Sequence, residues 1–510
     1  MRQASVRSVA LVGMAGTIID IEVAIGSGLP STRMVGLPDA ALKEAKDRCR
    51  AAMAAAQVGW PSAPVTINLS PATLPKAGSH YDLGIAAAVA AAQGRCDRRA
   101  LESLALFGEL GLDGRVRAVR GLLPLLLTAV AQGLERAVVP SAQLREACLV
   151  SGLQVFGVGD LADLGEVLAG GPGRAAEAGV ASAVVADAAV LDLADVAGQE
   201  EAKWALEVAA AGRHHLYLHG PPGAGKTLLA RRLSTVLPDL SESESLEVSA
   251  VHSLCGLPLA GGLIRRPPFA DPHHSASLAS LVGGGAGIAQ PGAISRAHRG
   301  VLFLDEAPEF APRVMESLRV PLESGNVVLA RASATAVYPA NFQLVLAANP
   351  CPCGLADTPG ADCRCAPMVV RRYASRVSGP ILDRIDIHQR VRPVRAGILD
   401  ATQSAESSAA VAERVLAARD RQRHRLAQLG WQTNAEVPGV VLRKKLPQPQ
   451  GVERLTGALA KGQLSARGVD KVLRLAWTIA DLAGADHPQL DHVHTALAMR
   501  RGEDLSGGRR

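Results

Sequence analysis

The chain has 510 residues, of which 48% are hydrophobic and only 3% aromatic, and it carries a formal net charge of +6. That length exceeds one ordinary core, so two to four domains are expected, with interiors built from Ala, Val and Leu. The mild positive balance permits a polyanionic partner without demanding one, and eight cysteines in a large chain with no secretory opening argue against a disulfide framework.

Met1-Arg2-Gln3 leads into polar Ser5, Arg7 and Ser8 rather than an apolar core and cleavage site. The apolar stretch Leu122–Val130 is about half a membrane span and contains Pro124, so a soluble, cytoplasmic chain with no membrane partner is expected. Alternation over Thr17–Ile25 predicts a strand, and Ala40–Gln57 is helical by period. Val65–Leu69 reads as a short strand, Leu83–Ala92 as an Ala-rich helix, and Val138-Val139 as the end of another strand. These make residues 1–168 an α/β domain. Gly170-Gly171-Pro172-Gly173 opens a linker over 169–190. Strands and helices then alternate over 191–395, as in a parallel sheet wound by helices. Beyond 396 strand signals vanish. Val411–Leu429, Val452–Leu459, Val469–Leu482 and Asp491–Arg500 predict a small all-helical domain to 502, and 503–510 a disordered tail.

Residues Gly220-Pro221-Pro222-Gly223-Ala224-Gly225-Lys226-Thr227 match the phosphate-loop pattern at every fixed position. The apolar Leu216-Tyr217-Leu218 precedes them, and a helix-favouring run from Leu228 to Leu233 follows. Backbone N–H groups of such a loop at a helix N-terminus form an anion site, suited here to ATP. Lys226 is expected to reach the β- and γ-phosphates and Thr227 to hold Mg²⁺. The buried-strand run Val301–Leu304 ends in Asp305-Glu306, which supplies a second Mg²⁺ ligand in Asp305 and a base for the attacking water in Glu306. A third strand, Leu344–Ala348, ends in Asn349, a candidate to position water or γ-phosphate if the three strands lie side by side. A turn-forming Asn before Pro350 is the bland alternative.

This constellation resembles the AAA+ superfamily. Pro291-Gly292-Ala293-Ile294-Ser295-Arg296-Ala297-His298-Arg299-Gly300 and Gly379-Pro380-Ile381-Leu382-Asp383-Arg384-Ile385-Asp386 are similar to its Mg-chelatase-like branch. The resemblance implies that Arg384 is a finger reaching a neighbouring subunit's ATP, and hence a homo-hexameric ring. It also implies that Arg467, in Ser465-Ala466-Arg467, is a nucleotide sensor in cis, with Arg474 as runner-up. Val35-Gly36-Leu37-Pro38-Asp39, Asn68-Leu69-Ser70-Pro71-Ala72, Leu74-Pro75-Lys76 and Gly108-Glu109-Leu110 resemble the Lon-protease-like front domain of the YifB/ComM family. The Lon pattern puts Asp82 at the nucleophilic serine and Leu123 at the lysine. Those two cannot form a Ser–Lys dyad, so peptidase chemistry is not expected, with Ser79 as the one displaced candidate nucleophile.

Cys351, Cys353, Cys363 and Cys365 bring four thiols from one loop, a set that suits structural Zn²⁺, with free thiols or a redox pair as alternatives. His273-His274 reads as a packing pair. The family resemblance implies a DNA-binding motor driving branch migration in homologous recombination of incoming DNA. The rival readings are a Mg-chelatase-type ATPase that remodels a partner protein and a scaffold that binds ATP only to assemble. For DNA, the sequence offers the arginine-rich run Arg419–Arg425, which a solvated helix face explains equally well. It also offers a glycine-rich Leu281–Gln290 hairpin with Arg296 and Arg299.

Overall fold

Alternating buried and exposed residues make the first two strands a long hairpin. Arg2–Val12 pairs antiparallel with Ala15–Ile25 around Gly13, whose φ of +67° suits the tight turn. The strand over Thr17–Ile25 therefore has a partner that the polar opening concealed: Ser5 and Arg7 are its exposed face, and Ala4, Val6 and Ser8 its buried one. The structure is a computed structural model and describes residues 2–174, 191–259, 262–285, 289–331, 334–356, 360, 362–393 and 406–504. Most of the expected linker, the tail beyond Asp504 and the boundary near 396 lie outside the described residues.

The hairpin sits within a seven-stranded mixed sheet. Its order is Thr32–Val35, Val65–Ser70, Ala15–Ile25, Arg2–Val12, Leu104–Leu106, Arg136–Pro140, Gln154–Val158. Helices Ala40–Ala55 and Asp82–Gln93 cover one face, where Val6 and Ala10 are buried. Helix Leu122–Ala131 covers the other, against Val9 and Ala105. Pro124 falls in the first turn of that helix, where a missing N–H is tolerated.

The second sheet is fully parallel and five-stranded, in the order Phe269–Ala270, Val301–Leu304, Gln343–Ala348, Leu216–His219, Ile387–Arg390. The three strands ending at the phosphate loop, at Asp305 and at Asn349 are thus consecutive neighbours. Strands buried on both faces read as unbroken apolar runs, as Val301–Leu304 and Gln343–Ala348 do. The C-terminal helices Ser408–Leu426, Gly439–Lys444, Val452–Ala460, Ala466–Leu482 and Leu490–Arg501 share one core with this sheet, in which Leu206, Leu229, Val415 and Trp477 meet. The α/β front domain, the wound parallel sheet and the helical C-terminal region agree with the fold read from sequence.

The front domain docks on the second sheet's unit through two places. Met14 N–H donates to Val337 O at 3.3 Å, on a hairpin of Asn326–Ala330 and Thr335–Pro339. Gly121 N–H donates to Ser253 O at 3.0 Å, near the end of helix Glu242–Leu254, and Leu254 packs with Leu11 and Met14. No helix among the described residues is long and apolar enough to cross a membrane.

Candidate functional site

Strand Leu216–His219 delivers the chain into the loop, and helix Lys226–Val236 starts directly after it. Gly220 is required by close approach, because a Cβ there would lie 2.1 Å from Val391 O. Gly223 and Gly225 have φ of +73° and +92°, and a Cβ on either would meet nothing within 4 Å. The loop is therefore an open cradle, with backbone N–H groups at a helix start.

Lys226 is 8% exposed, and its ammonium donates to Gly220 O at 2.7 Å, Pro221 O at 2.9 Å and Asn349 Oδ1 at 2.9 Å. Burial draws its pKa down, against the pull of Asp305 and Glu306. Thr227 Oγ1 donates to Asp305 Oδ2 at 2.6 Å. Glu306 follows with φ of +51°, a conformation uncommon for a non-glycine residue, and its N–H donates to Asp305 Oδ1 at 2.9 Å. Lys226, Thr227, Asp305, Glu306 and Asn349 thus come together at the C-terminal edge of the sheet. The donor set fits a triphosphate with its magnesium: a buried ammonium held by oxygen acceptors, a hydroxyl and carboxylate already in contact, and a cradle open where anionic oxygens would stand.

Two contacts at this site went unread in the sequence. His273 and His274 do stack, with ring centroids 4.1 Å apart, but His274 Nδ1 also lies 3.3 Å from Glu306 Oε2. Gln199, at φ +59°, donates from Nε2 to Ala224 O at 3.0 Å and to Arg392 O at 2.6 Å, tying the loop to the end of the neighbouring strand. Neither contact leaves a local signature, since their partners are 32 and 25 residues or more away in sequence.

The two arginines expected at nucleotide converge on Glu323. Arg384 donates to Glu323 Oε1 at 2.5 Å and to Pro380 O at 2.7 Å, while its buried Nε has no partner. Arg467 lies 3.3 Å from the same Glu323 and 3.5 Å from Asp383. Arg474, the runner-up sensor, is turned into the helical region and donates to Val437 O at 2.8 Å. Beneath them Lys471 Nζ donates to Asp386 Oδ1 at 2.6 Å and to Arg384 O at 2.8 Å, a buried pair that pins helix Ala466–Leu482 to the arginine-bearing turn.

The cysteine loop follows Asn349 directly. Sulfur separations are 3.3 Å for Cys351–Cys353, 3.8 Å for Cys351–Cys363 and 3.6 Å for Cys353–Cys363. All four sulfurs, Cys365 included, lie within 4.8 Å of one another.

In the front domain Asp82 is buried and takes two hydrogen bonds from Arg48, at 2.7 and 2.9 Å. Burial outweighs Arg48 and pushes its carboxyl up to about 6. Leu123 is buried, its N–H shared by Glu146 Oε1 and Ser253 Oγ, each at 3.3 Å. Ser79 donates to Glu109, whereas the buried Lys76 ammonium donates to Pro71 O.

The arginine run is partly engaged by its own chain. Arg419 is half-buried and donates to Ala210 O, the exposed Arg421 donates to Asp481 O, and Arg425 pairs with the Asp481 carboxylate. Arg421, Arg423 and His424 stay exposed, so the helix keeps its solvated face. Arg299 is held by Glu244 and Glu247. Gly283-Gly284 and Gln290-Pro291 do pair as a hairpin, whose tip lies outside the described residues. At its base a cleft of about 250 Å³ is lined by Arg120, Arg296, Ser280, Gly284 and Gln290.

Three family profiles match the chain: "Magnesium chelatase, subunit ChlI" over 192–399, "Subunit ChlI of Mg-chelatase" over 21–143, and "Magnesium chelatase, subunit ChlI C-terminal" over 405–500. An uncharacterized protein of Mycobacterium tuberculosis is 53% identical over 97% of this chain and 98% of its own length. The uncharacterized protein YifB of Escherichia coli is 42% identical over 96% of both chains. The competence protein ComM of Haemophilus influenzae is 39% identical over 98% of both.

Proposed function

The chain belongs to the YifB/ComM family of Mg-chelatase-like AAA+ proteins, and from that premise we propose that it is a ring-forming ATPase that works on DNA. The observation that carries the ATPase reading is the convergence of Lys226, Thr227, Asp305, Glu306 and Asn349 on one edge of a parallel sheet. Lys226 binds the β- and γ-phosphate oxygens, releasing the carbonyls of Gly220 and Pro221. Thr227 and Asp305 hold Mg²⁺, which neutralises charge on the phosphates. Glu306 accepts the proton of the attacking water, and Asn349 orients that water or the terminal phosphate. Arg384 acts from a neighbouring subunit, which fits its engagement in its own chain by Glu323 and Pro380 O rather than by the phosphate loop. The front domain is non-peptidase, with the Arg48–Asp82 pair standing where a dyad would need its nucleophile.

The DNA reading draws on the relative named as a competence protein and on the cleft where Arg120 of the front domain and Arg296 of the motor meet. Contacts are to the phosphate backbone, so binding is steep in salt and weakly sequence-specific. The chain then drives branch migration in recombination of incoming DNA. The test is the ATPase rate with and without forked or four-way DNA across a salt series. Stimulation that fades with salt supports the motor. A rate indifferent to DNA, with no salt-dependent retention, favours the Mg-chelatase-type alternative of remodelling a partner protein.

A further inference from the structure

We propose that Cys351, Cys353, Cys363 and Cys365 hold a structural Zn²⁺ ion whose loop braces the phosphate loop. Four Zn–S bonds of about 2.3 Å at tetrahedral angles place the sulfurs about 3.8 Å apart. The separations of 3.3, 3.6 and 3.8 Å match that shell, and the fourth sulfur lies within 4.8 Å of the others. An all-thiolate set selects a soft ion, and four protein ligands leave no open position for water, so the ion is structural rather than catalytic. Sulfurs this close surround a single ion, whereas an iron–sulfur cluster would hold them farther apart.

The brace follows from what the cysteine loop touches. Cys351 is fully buried and stands two residues after Asn349, whose side chain accepts from Lys226. Gly354 N–H donates to Cys351 O at 2.9 Å, closing a turn at φ +81°. At that turn the loop lies on Pro222: a Cβ on Gly354 would sit 2.4 Å from Pro222 Cγ and Cδ. Fixing the sulfurs therefore fixes both the Asn349 amide and the flank of the phosphate loop. The metal assignment stands on the sulfurs alone, while the brace rests on the nucleotide reading of the loop.

The purified full-length chain, passed through gel filtration without chelator, should carry about one zinc per chain by mass spectrometry of the metal, and Cys363→Ser less than about a tenth of that. Gly354→Ala leaves every sulfur in place but pushes on Pro222, so it should keep zinc and weaken ATP binding about ten-fold or more. In the unmutated chain, chelation should expose four reactive thiols and weaken ATP binding similarly. Absence of zinc from the unmutated chain, iron in its place, or a disulfide among the four cysteines overturns the metal site. Unchanged ATP affinity in both zinc-stripped chain and Gly354→Ala overturns the brace. A zinc-loaded chain that binds no ATP contradicts the nucleotide reading and leaves the metal site standing.

Discussion

Replacing Lys471 by Met strands a buried carboxylate. In the folded chain the Lys471 and Asp386 side chains are 7% and 4% exposed. Burial disfavours the Asp386 charge, but the Lys471 ammonium at 2.6 Å, together with His214 and His215, holds the carboxyl well below the usual range. Burial also draws Lys471 down, against the pull of Asp386. Without the ammonium, Asp386 keeps the His215 N–H at 2.8 Å and loses its charge partner. The variant escapes most cheaply by protonating Asp386. From an unfolded value of about 3.9, that step costs about 4 kcal/mol at about pH 7, at about 1.4 kcal/mol per pH unit. The figure falls within the roughly 3–5 kcal/mol expected when one partner of a buried pair is removed.

The same arithmetic fixes the pH dependence. A carboxyl depressed in the folded state contributes stability that is full above its unfolded value and lost as pH falls toward the folded one. In the variant the protonation cost shrinks to about 1.5 kcal/mol at about pH 5. Urea unfolding followed by fluorescence, with Trp477 buried on the same helix as Lys471, should therefore show a gap of about 4 kcal/mol at about pH 7 that narrows by more than half at about pH 5. Lys471→Met with Asp386→Leu should recover most of the loss, because no unpaired charge remains. A gap under about 1 kcal/mol, or one independent of pH, would refute the reasoning.

His274→Ala frees the Glu306 carboxylate and should lower kcat about ten-fold with little change in KM for ATP, as read in steady-state ATPase assays. A proportional rise in KM would instead put His274 in nucleotide binding. Thr227→Val keeps the helix and removes the hydroxyl facing Asp305, so Mg²⁺-dependent ATP affinity should fall while Mg²⁺-free binding holds, by titration with a fluorescent analogue. Arg120→Ala with Arg296→Ala should leave basal ATPase intact and reduce the salt slope of DNA binding by about two. Asp82, raised to about 6 by burial, binds its proton more tightly when folded, so stability falls as pH rises from about 4 to about 6. Asp82→Asn should flatten that slope in thermal unfolding.

The phosphate loop, the acidic pair and the cysteine cluster were legible because each is contiguous and its chemistry dictates its spacing. Apolar runs such as Val301–Leu304 announced the parallel strands for the same reason: burial on both faces leaves a local mark. The first strand hid because its exposed face, Ser5 and Arg7, imitates a polar tail when its partner is not in view. The contacts of Glu323, His274 and Gln199 were invisible because they exist only across folded distances. The Arg419–Arg425 run was legible only in part. Arg419 and Arg425 are drawn to Ala210 and Asp481, residues no local pattern connects to them, while Arg421 and Arg423 keep the exposed face.

In the proposed ring, ATP is cleaved between subunits, by Glu306 of one and Arg384 of the next. Chains bearing Glu306→Gln and chains bearing Arg384→Ala should each bind ATP and hydrolyse almost none. Mixed in equal amounts before nucleotide is added, they should regain about a quarter of the unmutated rate, since about one interface in four then joins an intact base to an intact finger. No recovery in rings shown to contain both variants would contradict it.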